Sequence, residues 1–279
     1  MLIKIQNISY LLIPFENDYL FKKWGINSIL MNNFLPYELN SIITSDLSSK
    51  TILMIGRGDD KIKRFDLGIK AMKYIIENMT ECEMKIISQN NNIQDLYKLV
   101  NDLNLNNNIK FVGYSPQPEK FFNNASLHLF PTLAEAFPNV LSETLSYGIP
   151  NILVGLDYVS ASKKGTVIIY DDSPISIAKE ALKILINDTY RKKLGREARN
   201  GMNRFNNTFL LKKWVKLILS IYKGSNYYDI LRNQDEKINK NEYLKIITNQ
   251  VKLLQIRINK FRNITITDIE NFTFMENLK

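Results

Sequence analysis

Apolar and polar positions along this chain follow two alternating rhythms. Short apolar runs bounded by polar or turn residues predict buried strands at Thr51–Gly56, Glu83–Ser88, Ile109–Gly113, Leu127–Phe130, Asn151–Val154 and Thr166–Tyr170. Between them the apolar residues recur at helical spacing. After Asp66, a residue able to cap, come Leu67, Ile69, Ala71, Met72, Ile75 and Ile76. Further helices are predicted over Ile93–Leu103, Glu119–Asn123, Val140–Tyr147, Ser173–Asn187, Tyr190–Phe205 and Thr208–Tyr222. Pro174 suits the first turn of its helix. Strands that alternate with helices imply a parallel sheet covered on both faces. The expected fold class is α/β, with one Rossmann-like domain over residues 31–224. Residues 1–30 stand before it. After Gly224 the chain becomes rich in Lys, Asn and Gln. There Ile238, Tyr243, Ile246, Ile247, Val251, Leu254, Ile258 and Phe261 predict a long amphipathic helix, within a helical extension over 225–279. That helix could pack on its own domain, on a membrane surface or on a partner; the first is the plainer reading.

Composition narrows the chemistry. The 279 residues are 45% hydrophobic and 23% charged, an ordinary globular balance. The net charge of +9 comes from scattered pairs such as Lys22-Lys23, Lys163-Lys164 and Lys212-Lys213, with no arginine-rich run. No nucleic-acid partner is therefore expected. Cys82 is the only cysteine and His128 the only histidine. A disulfide framework, Ser-His-Asp or Cys-His catalysis and the usual zinc sites are excluded within the chain. His128 lies in an apolar strand and reads as a core or supporting residue. The first residues lack a signal-peptide core, and no apolar run reaches the ~18–20 residues of a membrane span. A cytoplasmic protein is expected, with peripheral membrane contact left open.

Candidate chemistry concentrates at two strand ends, where open α/β sheets bind ligands against helix N-termini. The segment from Pro131 to Glu143 places Glu135 on a loop and Glu143 about one turn into a helix. Two carboxylates so placed can hold a polyhydroxy ligand, and backbone N–H groups remain to meet an anion. At the other strand end lies Gly56-Arg57-Gly58-Asp59-Asp60-Lys61-Ile62-Lys63-Arg64-Phe65-Asp66-Leu67. Lys61 stands where a dinucleotide fingerprint needs its third glycine, so that reading fails. Arg57 and Lys63 instead suit a diphosphate, Arg as a planar fork and Lys as a point charge.

Glu135-Ala-Phe-Pro-Asn-Val-Leu-Ser-Glu143, followed by Tyr147-Gly148-Ile149-Pro150, resembles the E-x7-E motif of retaining glycosyltransferases of family 4, which have the two-domain GT-B fold. Thr132, Ala136 and Thr144 depart from the family pattern by small-for-small replacement. Arg57, Lys63 and Asp66 match the family's G-R-x(4–5)-K-G-x-D, with Arg64 in place of its glycine. Phe111-Val112-Gly113-Tyr114 resembles its F-x-G, whose following loop lies by the nucleotide base.

The resemblance implies transfer of a sugar from a nucleoside-diphosphate sugar to a glycan or lipid-linked acceptor, with retention of configuration. No cofactor and no metal would be needed. It implies catalytic roles for Glu135, Arg57 and Lys63. Donor contacts would come from Glu143, Phe137, Pro138, Asn139, Val140, Gly113 and Tyr114. It makes residues 1–30 a remnant of the family's N-terminal domain and linker, so that a separate chain could supply the rest. The alternative is a non-catalytic sugar-nucleotide-binding subunit or an inactive truncated relic.

Overall fold

The computed structural model describes residues 9–11, 28–30, 33–35, 38–57, 61–89, 93–133, 135, 138–155, 164–171, 173–223 and 245. They divide between two compact units. The smaller holds strands β1 (Ser9–Leu11) and β2 (Ser28–Leu30), which pair in parallel, and a later helix over Asn207–Lys223. The expected helix over 235–262 lies outside the described residues, Lys245 excepted.

The larger unit, Leu35–Gly155 with Ser162–Arg204, carries a six-stranded sheet. Its strands are β3 (Thr51–Ile55), β4 (Glu83–Ile87), β5 (Ile109–Phe111), β6 (Leu127–Phe130), β7 (Asn151–Val154) and β8 (Thr166–Ile169). All pair in parallel, in the order β5-β4-β3-β6-β7-β8. Counted from β3, the order is that of a doubly wound sheet, in which the chain moves one way from the first strand and then the other. The reversal falls between β3 and β6, paired through Ile52–Leu127 and Leu53–His128.

Both sheet faces are covered, which explains why β3 is apolar without alternation. On one face Ile52, Met54, Met84, Ile86, Leu127 and Leu129 pack against α1 (Phe65–Ile76) and α4 (Pro174–Ile186). Val100 of α2 (Gln94–Asp102) joins the same core. Gly68 of α1 leaves room for the Met54 side chain, whose Sδ lies 2.2 Å from where a Cβ would stand. Leu53, Ile55 and Ile87 face the other way, into a cluster with Phe122, Ala125 and Ile149. Val140 and Tyr147, at either end of α3 (Asn139–Ser146), pack on that cluster.

Three local expectations change. Asp66 does not cap α1: the preceding position is Arg64, and Asp66 sits in the first turn, paired with Lys70 at 3.0 Å. The segment expected to be helical over 119–123 is a 3-10 turn at Pro118–Phe121. The helix expected over 190–205 is α5 (Asp188–Gly201), started by the Asn187 side chain, which accepts from Tyr190 N at 2.9 Å, and followed by a 3-10 turn.

Candidate active site at the reversal of strand order

β3 and β6 both deliver their carboxyl ends to the crevice at the reversal, the usual ligand position in such sheets. β3 ends at Ile55 and releases Gly56 and Arg57; Arg57 is exposed. A 3-10 turn over Lys61–Lys63 then leads into α1. Lys63 doubles back so that its stem crosses Gly56. A Cβ there would lie 3.2 Å from Lys63 Cγ and 3.3 Å from Cδ. Gly56 therefore serves close packing of the lysine rather than a dinucleotide turn.

Arg64 adopts the left-handed conformation, φ 55° and ψ 43°, immediately before α1. A glycine would take that shape without steric cost, so the arginine keeps the backbone form expected of a glycine.

β6 ends at Phe130 and passes through the buried Pro131 and Thr132 to Glu135. Leu133 N donates to Ile62 O at 2.9 Å, tying this loop to the lysine-bearing turn. Glu135 meets Lys63 there. Its Oε1 accepts from Lys63 Nζ, and Thr132 Oγ1 donates to the same oxygen at 3.3 Å. The ion pair is mostly shielded, with side-chain exposures of 18% for Lys63 and 15% for Glu135. Lys63 Nζ also lies 5.9 Å from the centre of the Phe130 ring, within cation–π range.

α3 begins at Asn139, with the buried Pro138 preceding it, Asn139 exposed and Val140 half-buried. Phe137 lies outside the described residues. Glu143 follows on the same helix. Burial raises its pKa, and the neighbouring Glu119 carboxylate raises it further. Gly148 closes α3 with φ 70°, and its N–H donates to Leu145 O at 2.9 Å, a glycine helix stop.

Gly113 lies just past β5 with φ 86°, where a side chain would strain the backbone, and Tyr114 is 70% exposed beside it. Arg57 and Lys63 thus stand at the end of β3, Glu135 at the end of β6 and Glu143 on the helix that follows. Gly113 and Tyr114 stand at the end of β5.

Sequence reading overlooked Gly56, Phe130, Thr132 and Glu119 as neighbours of the site. It did assign His128 to a supporting place. The imidazole is fully buried, with Nδ1 against Asn151 Oδ1 and Thr144 Oγ1 at 3.3 Å from Nδ1. Burial pushes its pKa down to about 4, so the ring is neutral.

Residues 38–201 match the family model described as glycosyl transferases group 1. The chain belongs to that family. A Campylobacter jejuni undecaprenol-linked glycan alpha-1,4-N-acetyl-D-galactosaminyltransferase is 24% identical over 195 residues, which cover 67% of this chain and 53% of that protein. A Staphylococcus aureus poly(ribitol-phosphate) alpha-N-acetylglucosaminyltransferase is 22% identical over 164 residues, 57% of this chain and 33% of its own length. Among solved structures, a mutant of S. aureus TarM in complex with fondaparinux, alpha-GlcNAc-glycerol and UDP superposes with a TM-score of 0.66 at 19% identity. That match covers 75% of this chain and 43% of TarM. The chain thus spans about half, or less, of these relatives. Its six-stranded parallel sheet is the Rossmann-like architecture of GT-B glycosyltransferases.

Proposed function

We propose that this group 1 glycosyl transferase chain binds a nucleoside-diphosphate sugar at the reversal and supplies the donor half of a retaining, metal-independent transfer. The observation that carries this reading is the meeting of Lys63 and Glu135 from the ends of β3 and β6, where the strand order reverses. Arg57 and Lys63 hold the diphosphate. As the anomeric carbon–oxygen bond breaks, they stabilise the charge that gathers on the leaving group, a contribution commonly worth ~3–4 kcal/mol per key donor. Glu135 contacts the sugar hydroxyls and lies near the developing positive charge. Glu143 takes the ribose hydroxyls. Phe137, Pro138, Asn139 and Val140 make further donor contacts, and Gly113 and Tyr114 border the base.

The acceptor is a glycan or a lipid-linked glycan, bound in part by the other half of the two-domain fold. The galactosaminyltransferase relative is named for an undecaprenol-linked substrate, which supports the lipid-linked class. The test is a transfer assay of the chain together with a complete N-terminal half, the product's anomeric configuration being read by proton NMR. Retained configuration supports the proposal; inversion removes it. Donor binding with no transfer under any pairing would favour a non-catalytic subunit.

A further inference from the structure

His128 of β6 touches both carriers of the candidate site from below. Its ring centre lies 5.5 Å from that of Phe130, over which the Lys63 ammonium sits. Its Nδ1 meets Asn151 Oδ1 of β7 and lies 3.3 Å from Thr144 Oγ1 of α3. Thr144 Oγ1 lies 3.2 Å from the same Asn151 oxygen. A buried polar triad thus joins β6, β7 and α3, and Glu143 is the neighbour of Thr144 in the helix.

The triad is oriented. Asn151 Nδ2 donates to Ile149 O at 2.9 Å, which turns Oδ1 toward the imidazole as an acceptor. The neutral ring therefore carries its proton on Nδ1. Nε2 is then a buried acceptor with no partner among the described residues. A leucine would fill the place without burying an unpaired nitrogen, which costs stability. What the imidazole contributes is orientation rather than stability.

α3 needs orienting. It has eight residues, too few to stand without tertiary support, and the preceding Pro138 offers no side-chain cap. Ser142 and Ser146 donate back to Pro138 O and Ser142 O at 3.4 and 2.7 Å. At the far end Arg199 Nη1 donates to Ser146 O and Ser45 N to Tyr147 O, both at 2.8 Å. Those contacts fix where the helix ends. The Thr144 tie to the sheet fixes its rotation about its own axis, and so the direction of Glu143, about 100° around the helix from Thr144.

We propose that His128 is a positioning residue: through Asn151 and Thr144 it sets the rotation of α3 and aims the Glu143 carboxylate at the ribose hydroxyls of the donor. The inference rests on the donor reading, in which Glu143 takes the ribose.

Calorimetric titration of the full chain with UDP and GDP, each beside its 2′,3′-dideoxy counterpart, tests it. The wild type should prefer the ribonucleotide of whichever base binds. His128→Leu should weaken ribonucleotide binding about three- to tenfold and leave dideoxynucleotide binding within about twofold. Thr144→Val keeps the shape, removes the hydroxyl and should do the same. His128→Asn should keep most of the ribonucleotide affinity, its amide N–H standing where Nδ1–H stood. In a Glu143→Gln background His128→Leu should cause no further loss, as a residue that acts through Glu143 requires. Thermal unfolding checks that each variant is folded. Equal losses for ribo- and dideoxynucleotides would show a merely structural role and overturn the proposal. So would unchanged ribonucleotide affinity in folded His128→Leu or Thr144→Val, or a loss that adds to that of Glu143→Gln. A wild type indifferent to the ribose hydroxyls, or binding no nucleotide, removes the donor role of Glu143 and this inference with it; that failure shows in the wild type, not in the His128 variants alone.

Discussion

The Lys63 ammonium and the Glu135 carboxylate pair with each other from turns that follow different strands. A donor diphosphate placed at Lys63 must compete with that carboxylate. In the proposed donor site, binding is an exchange: the phosphate takes the lysine, and Glu135 turns toward the sugar.

The exchange has a consequence of opposite sign for binding and for turnover. Glu135→Gln removes the competing charge, so a nucleoside diphosphate without sugar should bind about two- to tenfold more tightly, the range of a charge-assisted contact made part-buried. The same variant should lower turnover once a complete enzyme is assembled. Calorimetric titration with UDP and GDP checks the first effect. Weaker binding in the variant would show that Glu135 does not compete for Lys63.

Arg64 occupies a left-handed position without being glycine. Arg64→Val should destabilise the larger unit by about 1–2 kcal/mol, because a β-branched side chain meets the carbonyl in that conformation. Arg64→Gly should leave stability unchanged or raise it by up to about 1 kcal/mol, relief of strain being offset by the looser unfolded chain. Thermal unfolding of the two variants distinguishes this from a site without strain, where Val would be tolerated better than Gly.

Glu143 provides a pH test. Burial first and Glu119 second hold its pKa above the usual 4.5. The folded state therefore favours the protonated acid, and ionised Glu143 costs stability. That cost is absent below pH 4.5, appears as pH rises through the folded value, and is complete above it. Glu143→Gln should accordingly melt at a higher temperature than the wild type at neutral pH, the gap closing toward pH 4.5. Its donor affinity should fall, since in the proposed site the ribose hydroxyls lose a carboxylate for a neutral amide, a weaker acceptor. A gap that widens on acidification would contradict the burial of this carboxylate.

The sequence disclosed the site unevenly, for physical reasons. Glu135, Asn139 and Glu143 belong to one local strand–loop–helix passage, and local pattern was enough to place them. The fold class followed from the alternation of short apolar runs with helical spacing. The reversal between β3 and β6 joins residues far apart in sequence, so its position became visible only through the Ile52–Leu127 and Leu53–His128 pairs. Lys63 and Glu135 are 72 positions apart, and no periodicity announces their meeting. Gly56 did not complete a dinucleotide fingerprint, and only the structure shows the Lys63 stem passing 3.2 Å from where its Cβ would lie. No sequence pattern singles out Arg191. It is 1% exposed, donating from Nε to Leu47 O at 2.8 Å and from Nη1 to Ile184 O and Leu185 O at 3.1 and 2.6 Å. Only the three-dimensional arrangement of those carbonyls could place a charge there.

The most direct test of the central claim is calorimetric titration of the chain with UDP-, GDP- and ADP-sugars, beside the Arg57→Ala and Lys63→Ala variants. At least one sugar nucleotide should bind the wild type, and each variant should lose about tenfold or more in affinity, as removal of a charge-assisted contact of ~1.5–3 kcal/mol requires. Failure of every sugar nucleotide to bind, or unchanged affinity in both variants, would contradict a diphosphate site at the reversal of strand order.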